Sequence, residues 1–290
     1  MRQTAGVGLL AVIELSFDPA IRIGDLVIRW QTVGVTLALL AALGLAVLID
    51  GRLADANGSG RAALRLDDLV YIVLGVVPGA VVGGRLIHGL AFWEAYSVDP
   101  LRLLDASVGT LSLTGALLGG TASGVYVARL IGAPVRRWAD SAVGPLLLGL
   151  GLGKLAQLLG GSGQGAGFDG PWAVAFIGSG PWISPNAAVP AHPAQVYEGL
   201  WLLLGLAAVV AARRRARMGT GRLFAGMLVW FLLGRVVVGF TWRDDPLVGP
   251  LNVEQAIALA ILLGIGAGLL IRSRSNVSPD TVLTPMERER

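Results

Sequence analysis

The side chains best suited to chemistry fall in one run, Ala191-His192-Pro193-Ala194-Gln195-Val196-Tyr197-Glu198. Proline is accepted in the first turn of a helix, where its missing N–H has no intrahelical partner to lose, so the His192-Pro193 step predicts a helix mouth. Just beyond that mouth the chain presents an amide, a phenol and a carboxylate in Gln195, Tyr197 and Glu198. An imidazole titrates near neutral pH, which suits His192 to act as base or hydrogen-bond donor. The same residues could also form a capping and hydrogen-bonding cluster without chemistry.

A second group consists of ionisable residues within apolar stretches: Arg85, His88, Lys154, Glu198 and Arg235. Each such group costs a few kcal/mol at mid-bilayer, so these residues usually face a bundle interior and mark a functional pathway. They could instead pair to hold helices together or snorkel to the headgroups. Lys154 is the only lysine in the chain. With three cations and one carboxylate at similar depth, the sequence predicts a net-positive cavity suited to a phosphate or anionic headgroup.

Apolar helices must carry these residues. Of 290 residues only 14% are charged and 54% are hydrophobic, with a mean hydropathy of +0.69, whereas soluble domains carry about 25% charged residues. Seven stretches of 17 to 24 residues are apolar enough to span a bilayer: Gln31–Ile49, Leu69–Phe92, Leu111–Ala128, Ser141–Gly160, Val196–Ala212, Leu223–Trp242 and Gln255–Ile271. The expected fold is an all-α, polytopic bundle of seven transmembrane helices forming one domain over residues 1–272. Residues 1–30 are expected to be an amphipathic arm, not a signal peptide, and residues 273–290 a disordered cytoplasmic tail.

Charge asymmetry orients the bundle. Fifteen arginines lie in the loops after spans one, three and five and in the tail, against five on the opposite side. The positive-inside rule then predicts an outer N-terminus and a cytoplasmic C-terminus. Trp30, Trp93, Trp172, Trp182, Trp201 and Trp242 fall near or beyond the outer span ends, where amphipathic rings are favoured. In this orientation Arg85, Lys154, Glu198 and Arg235 all occupy the outer half. The Gly- and Pro-rich outer loop Gly161–Gln195 has no Lys or Arg, and its length suits a lid, a binding loop or a disordered segment. The sequence pI of about 10.1 follows from topology and anionic-lipid contact, with no nucleic-acid partner required.

Gly75, Gly79 and Gly83, and in span three Gly115–Gly119 and Gly120–Gly124, form Gly-x-x-x-Gly steps that allow close helix approach. Gly151-x-Gly153-x-x-Ala156 lacks the preceding strand of a dinucleotide fingerprint. With no cysteine and only two histidines, thiolate metal sites are excluded and a multi-histidine site is disfavoured, so neither metal nor cofactor is expected.

The run His192-Pro193-Ala194-Gln195-Val196-Tyr197-Glu198 resembles the His-Pro-x-Gln-x-Tyr-Glu segment of the prolipoprotein diacylglyceryl transferases, seven-span bacterial plasma-membrane enzymes. Phe17-Asp18-Pro19, Gly83-Gly84-Arg85, Asp99-Pro100, Gly153-Lys154, Arg235 and Gln255 follow in the family's order, so the resemblance spans about Phe17 to Arg272. It implies transfer of the diacylglyceryl group of phosphatidylglycerol onto the lipobox cysteine thiol in the signal peptide of a lipoprotein precursor. A thioether forms and glycerol 1-phosphate leaves, at the outer face of the plasma (inner) membrane. As a divergent transferase the chain would use His192 or Glu198 as the catalytic residue that takes over proton removal, with Arg85, Lys154 and Arg235 holding the phosphate and Gln157, Gln195 and Tyr197 as further substrate-binding residues. Several positions depart from the family. Thr114-Gly115-Ala116 stands where members carry His-Gly-Gly. Gly153-Lys154-Leu155-Ala156-Gln157 replaces Gly-Arg-x-Gly-Asn, and Gln31 replaces an early tyrosine. Gly239 stands where a glutamate follows the arginine by one turn, removing the helix-neighbour carboxylate of Arg235. A non-catalytic, phospholipid- or lipoprotein-binding scaffold descended from that family is the alternative. A small-solute transporter is disfavoured by the lack of an inverted repeat with broken helices.

Overall fold

A computed structural model describes residues 12–56, 72–105, 111–213 and 220–275. Long runs of Leu, Ala and Val with few interior breakers give the main helices: α1 (Trp30–Ala56), α2 (Val77–Ala91), α4 (Leu113–Leu130), α5 (Val135–Ala156), α6 (Ala194–Arg213), α7 (Arg222–Gly239) and α8 (Val253–Ser275). A π-turn, Ile72–Val76, precedes α2. The short helix α3 (Trp93–Ser97) and a 3₁₀ turn, Pro100–Leu104, lie between α2 and α4.

Among the described residues, six segments are long and apolar enough to cross a membrane: Trp30–Ile49, Leu74–Ala91, Val135–Leu159, Ala194–Ala212, Arg222–Gly239 and Val253–Ile271. Helix α4 has the length but is diluted by Gly, Thr and Ser. Its composition follows from what it touches. A Cβ on Gly83 would collide with the Gly115 carbonyl oxygen, and one on Gly119 with that of Gly79. Helices α2 and α4 thus meet backbone to backbone through the Gly-x-x-x-Gly steps, the close approach that small residues permit. A helix facing protein along such a seam needs less hydropathy than one facing lipid.

Helices α1, α5 and α8 extend beyond the expected span ends, to Ala56, back to Val135 and on to Ser275. The expected start of the second span at Leu69, most of the Arg213–Arg222 loop and most of the 273–290 tail lie outside the described residues. The apolar core joins four helices: Val143 and Leu147 of α5, Leu202 of α6, Met227, Phe231 and Leu232 of α7, and Ala258 of α8. Trp201 and Trp230 stack at 4.3 Å, and each indole N–H donates to the other's carbonyl at 2.9 Å. At the opposite end of α5, buried Asp140 accepts from the N–H groups of Gly221 at 2.9 Å and Phe224 at 3.1 Å. It thereby caps α7 from a neighbouring helix, where a negative charge is favoured by the helix dipole.

The loop expected to be a lid, a binding loop or a disordered segment is a folded cap. Strand β1 (Ile13–Leu15) of the arm pairs in parallel with β4 (Val174–Phe176), in the register Ile13↔Val174. Backbone bonds from Val174 and Phe176 to Ala191 and Ala187 tie β4 down on its other side. Buried Gln164 donates to the carbonyls of Val174, Ala187 and Val189 and accepts from Ser184 Oγ at 2.7 Å. Strands β2 (Ala20–Ile23) and β3 (Leu26–Arg29) form an antiparallel hairpin. Gly24 at φ +60° supplies the positive φ required at the first position of its two-residue turn.

Candidate active site

Five helices deliver one residue each to a buried cluster. Lys154 comes from the last turn of α5, Glu198 from the second turn of α6, Arg235 from α7, Glu254 from the first turn of α8 and Thr114 from the first turn of α4. The Glu198 carboxylate bridges two cations, through Oε2 to Lys154 Nζ and through Oε1 to Arg235 Nη1 at 2.7 Å. Arg235 Nη2 pairs with Glu254 Oε2, and Nε reaches the same oxygen at 3.2 Å. Thr114 Oγ1 donates to Glu254 Oε2 at 2.7 Å and accepts from Arg235 Nε at 3.1 Å. The Trp242 ring covers the guanidinium at 4.0 Å. A buried charge is tolerated only when paired and hydrogen-bonded, and removing one partner typically costs about 3–5 kcal/mol.

The net-positive cavity expected from sequence is therefore corrected. Two cations face two carboxylates in direct contact, and Asp244 acts on Arg235 at longer range. Arg85 Nη2 donates to the Asp105 carbonyl at 2.9 Å. Exposure separates the two cations that do meet. The Lys154 side chain is 18% accessible and that of Arg235 8%, so Lys154 is the more approachable.

One turn from the Lys154–Glu198 pair, Gln157 and Gln195 flank Gly163. A Cβ there would fall 2.8 Å from Gln157 Oε1 and 3.2 Å from the Gln195 Cβ. Gln195 is 1% exposed, and neither atom of its amide has a hydrogen-bond partner among the described residues, nor has Gln157 Oε1. Buried amides are nearly always satisfied, so orphans of this kind await a ligand or ordered water.

His192 lies among aromatic side chains. Its ring stacks on Phe168 at 4.0 Å, and Nδ1 lies 3.3 Å from the Tyr197 hydroxyl, which accepts from Trp172 Nε1 at 2.7 Å. Partial burial pushes the imidazole pKa below its ordinary value, because desolvation penalises the charged form. The geometry thus gives two sub-clusters, His192–Tyr197 and Lys154–Glu198–Arg235.

Sequence reasoning missed Glu254, Trp242 and the use of Thr114. A signal for Glu254 was present. Asn252 and Gln255 form a reciprocal capping box, with Asn252 N to Gln255 Oε1 and Gln255 N to Asn252 Oδ1 both at 2.9 Å. An Asn-x-x-Gln pattern of this kind starts the helix at Val253 and so puts Glu254 on it, not in the loop.

What the fold and the cluster define is a class: a multi-pass helical membrane protein that carries ionised groups among apolar spans, where a polar ligand gives them a use. The chain belongs to the prolipoprotein diacylglyceryl transferase family, whose model matches residues 19–272. It is 33% identical over 271 residues to the phosphatidylglycerol–prolipoprotein diacylglyceryl transferase of Geobacter sulfurreducens, covering 90% of this chain and 98% of that one. It is 27% identical to the enzymes of the same name from Bacillus mycoides, over 84% of this chain and 87% of that one, and Bacillus cereus, over 88% and 92%.

Proposed function

We infer that the protein moves diacylglyceryl from phosphatidylglycerol to the lipobox cysteine of a lipoprotein precursor's signal peptide, at the outer face of the bacterial plasma membrane. In this reading α4 is the seventh span, the N-terminus is outside, the C-terminus is cytoplasmic and residues 1–272 form one domain. In the reaction the cysteine sulfur forms a bond to the glyceryl carbon. That carbon's bond to the phosphate oxygen breaks, and its electron pair leaves with glycerol 1-phosphate while the thiol proton passes to a base.

The observation that carries the reading is the Lys154–Glu198–Arg235 cluster in a chain of this family. The leaving phosphate gains a second negative charge as the bond breaks, and fixed cations stabilise charge that develops in the transition state. Lys154 and Arg235 supply that charge, with Arg85 and Tyr197 as further headgroup contacts. The orphaned Gln195 amide and Gln157 Oε1 are suited to the headgroup hydroxyls. A phosphate at Lys154 displaces Glu198 from its ion pair. Glu198 Oε2, released from Lys154 while Oε1 stays on Arg235, and the neutral imidazole of His192 are then candidate proton acceptors, with His88 a poorer one.

The test is transfer from labelled phosphatidylglycerol to a lipobox peptide in detergent. Lys154→Ala is expected to lose about a hundredfold in rate, the scale for removing one charge-stabilising group, while Lys154→Arg retains activity with a fork that grips phosphate in two places. Transfer by Lys154→Ala at the wild-type rate would remove the lysine from the mechanism. A folded wild type that binds the lipid but never transfers it would leave the non-catalytic scaffold.

A further inference from the structure

We propose that Glu254 is a positioning residue for Arg235, holding the guanidinium from α8 because Gly239, one turn beyond the arginine on α7, has no side chain to do so. The proposal rests on the phosphate-holding role inferred for Arg235 above.

A guanidinium carries five N–H donors and no acceptor. In Arg235, Nε–H is shared by Thr114 Oγ1 and Glu254 Oε2, one Nη2 hydrogen goes to Glu254 and one Nη1 hydrogen to Glu198. One hydrogen on each terminal nitrogen remains without a partner among the described residues. Those two are what Arg235 can offer a phosphate, and two-pronged binding works only if the guanidinium plane is fixed. Glu198 fixes it poorly, since it grips a single nitrogen and shares its other oxygen with Lys154. Glu254 clasps the Nε–Nη2 edge through one oxygen, and the Thr114 hydroxyl holds that oxygen and the Nε–H together. Trp242 closes a face.

Bare Gly239 is part of this device. A Cβ there would lie 2.5 Å from Gln255 Cγ, because the Gln255 side chain fills the space and donates through Nε2 to the Val236 carbonyl at 2.9 Å. The glycine therefore lets the first turn of α8 seat against α7, and that seating brings Glu254, the preceding residue, to Arg235. A glutamate introduced at position 239 has to evict Gln255 and disturb the clasp it would be meant to supply.

The test uses the full chain in nanodiscs containing phosphatidylglycerol, with transfer kinetics and melting temperature read on the same samples. Glu254→Gln keeps the shape and loses the charge. It is expected to lower kcat about tenfold to a hundredfold, the scale of a lost charge-assisted hydrogen bond, with the peptide KM little changed and the melting temperature lowered by the loss of a partner to a buried charge. Thr114→Val should fall in the same direction, whereas Thr114→Ser, which keeps the hydroxyl, should stay close to wild type. Gly239→Glu should lose turnover. Wild-type kcat in Glu254→Gln, whether or not the melting temperature drops, overturns the proposal. If that variant does not fold, equal kcat in Thr114→Val and Thr114→Ser overturns it. A wild type that transfers nothing defeats the transferase reading instead. Retention of phosphatidylglycerol in native mass spectrometry then decides: weaker retention by Glu254→Gln supports the positioning role, and equal retention ends it.

Discussion

His192 and Glu198 are partnered differently from what their spacing suggests. Six residues apart at a helix mouth, they invite the reading that the carboxylate orients the ring, yet Tyr197 takes that place and Glu198 is committed to two cations. Burial disfavours the imidazolium, so the folded protein holds His192 neutral from below its ordinary value of 6.5 upward. If His192 is the base, turnover rises with pH along an acid limb whose midpoint lies below 6.5 and is flat through neutrality. His192→Gln should then lose about a hundredfold or more in turnover, the usual scale for a general base, and lose the limb with it. Full turnover in His192→Gln would pass the proton to Glu198. Residue types in the site were legible because an ionisable group in an apolar run is conspicuous. Their pairing was not, since Thr114 and Glu254 are 140 positions apart and meet only through tertiary packing.

The helices themselves were legible for the same reason that makes them span: in lipid every backbone group must be bonded within the segment, so an apolar run of sufficient length becomes a helix. What hydropathy could not show was which faces meet protein. The glycine spacing of α2 and α4 carried that information, and the structure uses it along the whole seam from Gly79–Gly119 to Gly83–Gly115. That the long loop folds as a cap was not legible because the cap is held by pairing with the arm, β1 to β4, across some 160 positions, which no local pattern announces. Gly83→Leu is expected to force the helices apart and destabilise the protein by about 3 kcal/mol or more, beyond ordinary overpacking because backbone is struck. Gly264→Leu in α8, where nothing stands within 4 Å of a Cβ, is the control and should be near neutral. Thermal unfolding in detergent compares them, and equal melting of both variants would mean that the α2–α4 seam is not tight.

Which leaflet the cluster can draw a lipid from depends on which end of the bundle is outside. The site is assembled at the end of α5 and the beginnings of α4, α6 and α8, on the side where the arm and the Gly161–Gln195 cap fold together. Asp140, at the beginning of α5, caps α7 at the other end of the bundle. The helix ends at Arg213 and Arg222 belong to that other end, and the count of fifteen arginines against five favours a cytoplasmic place for the loop between them. A substrate drawn from the outer leaflet and a precursor emerging across the membrane would both reach the cluster from the capped side, with no need for a phosphate to cross the apolar core. The chain has no cysteine, so single cysteines report orientation without background. Asp169→Cys, on an exposed part of the cap, should react with an impermeant maleimide in intact spheroplasts, and Ala216→Cys only after lysis. The reverse pattern would invert the bundle, bring the Lys154–Glu198–Arg235 cluster to the cytoplasmic leaflet and leave a secreted cysteine out of its reach.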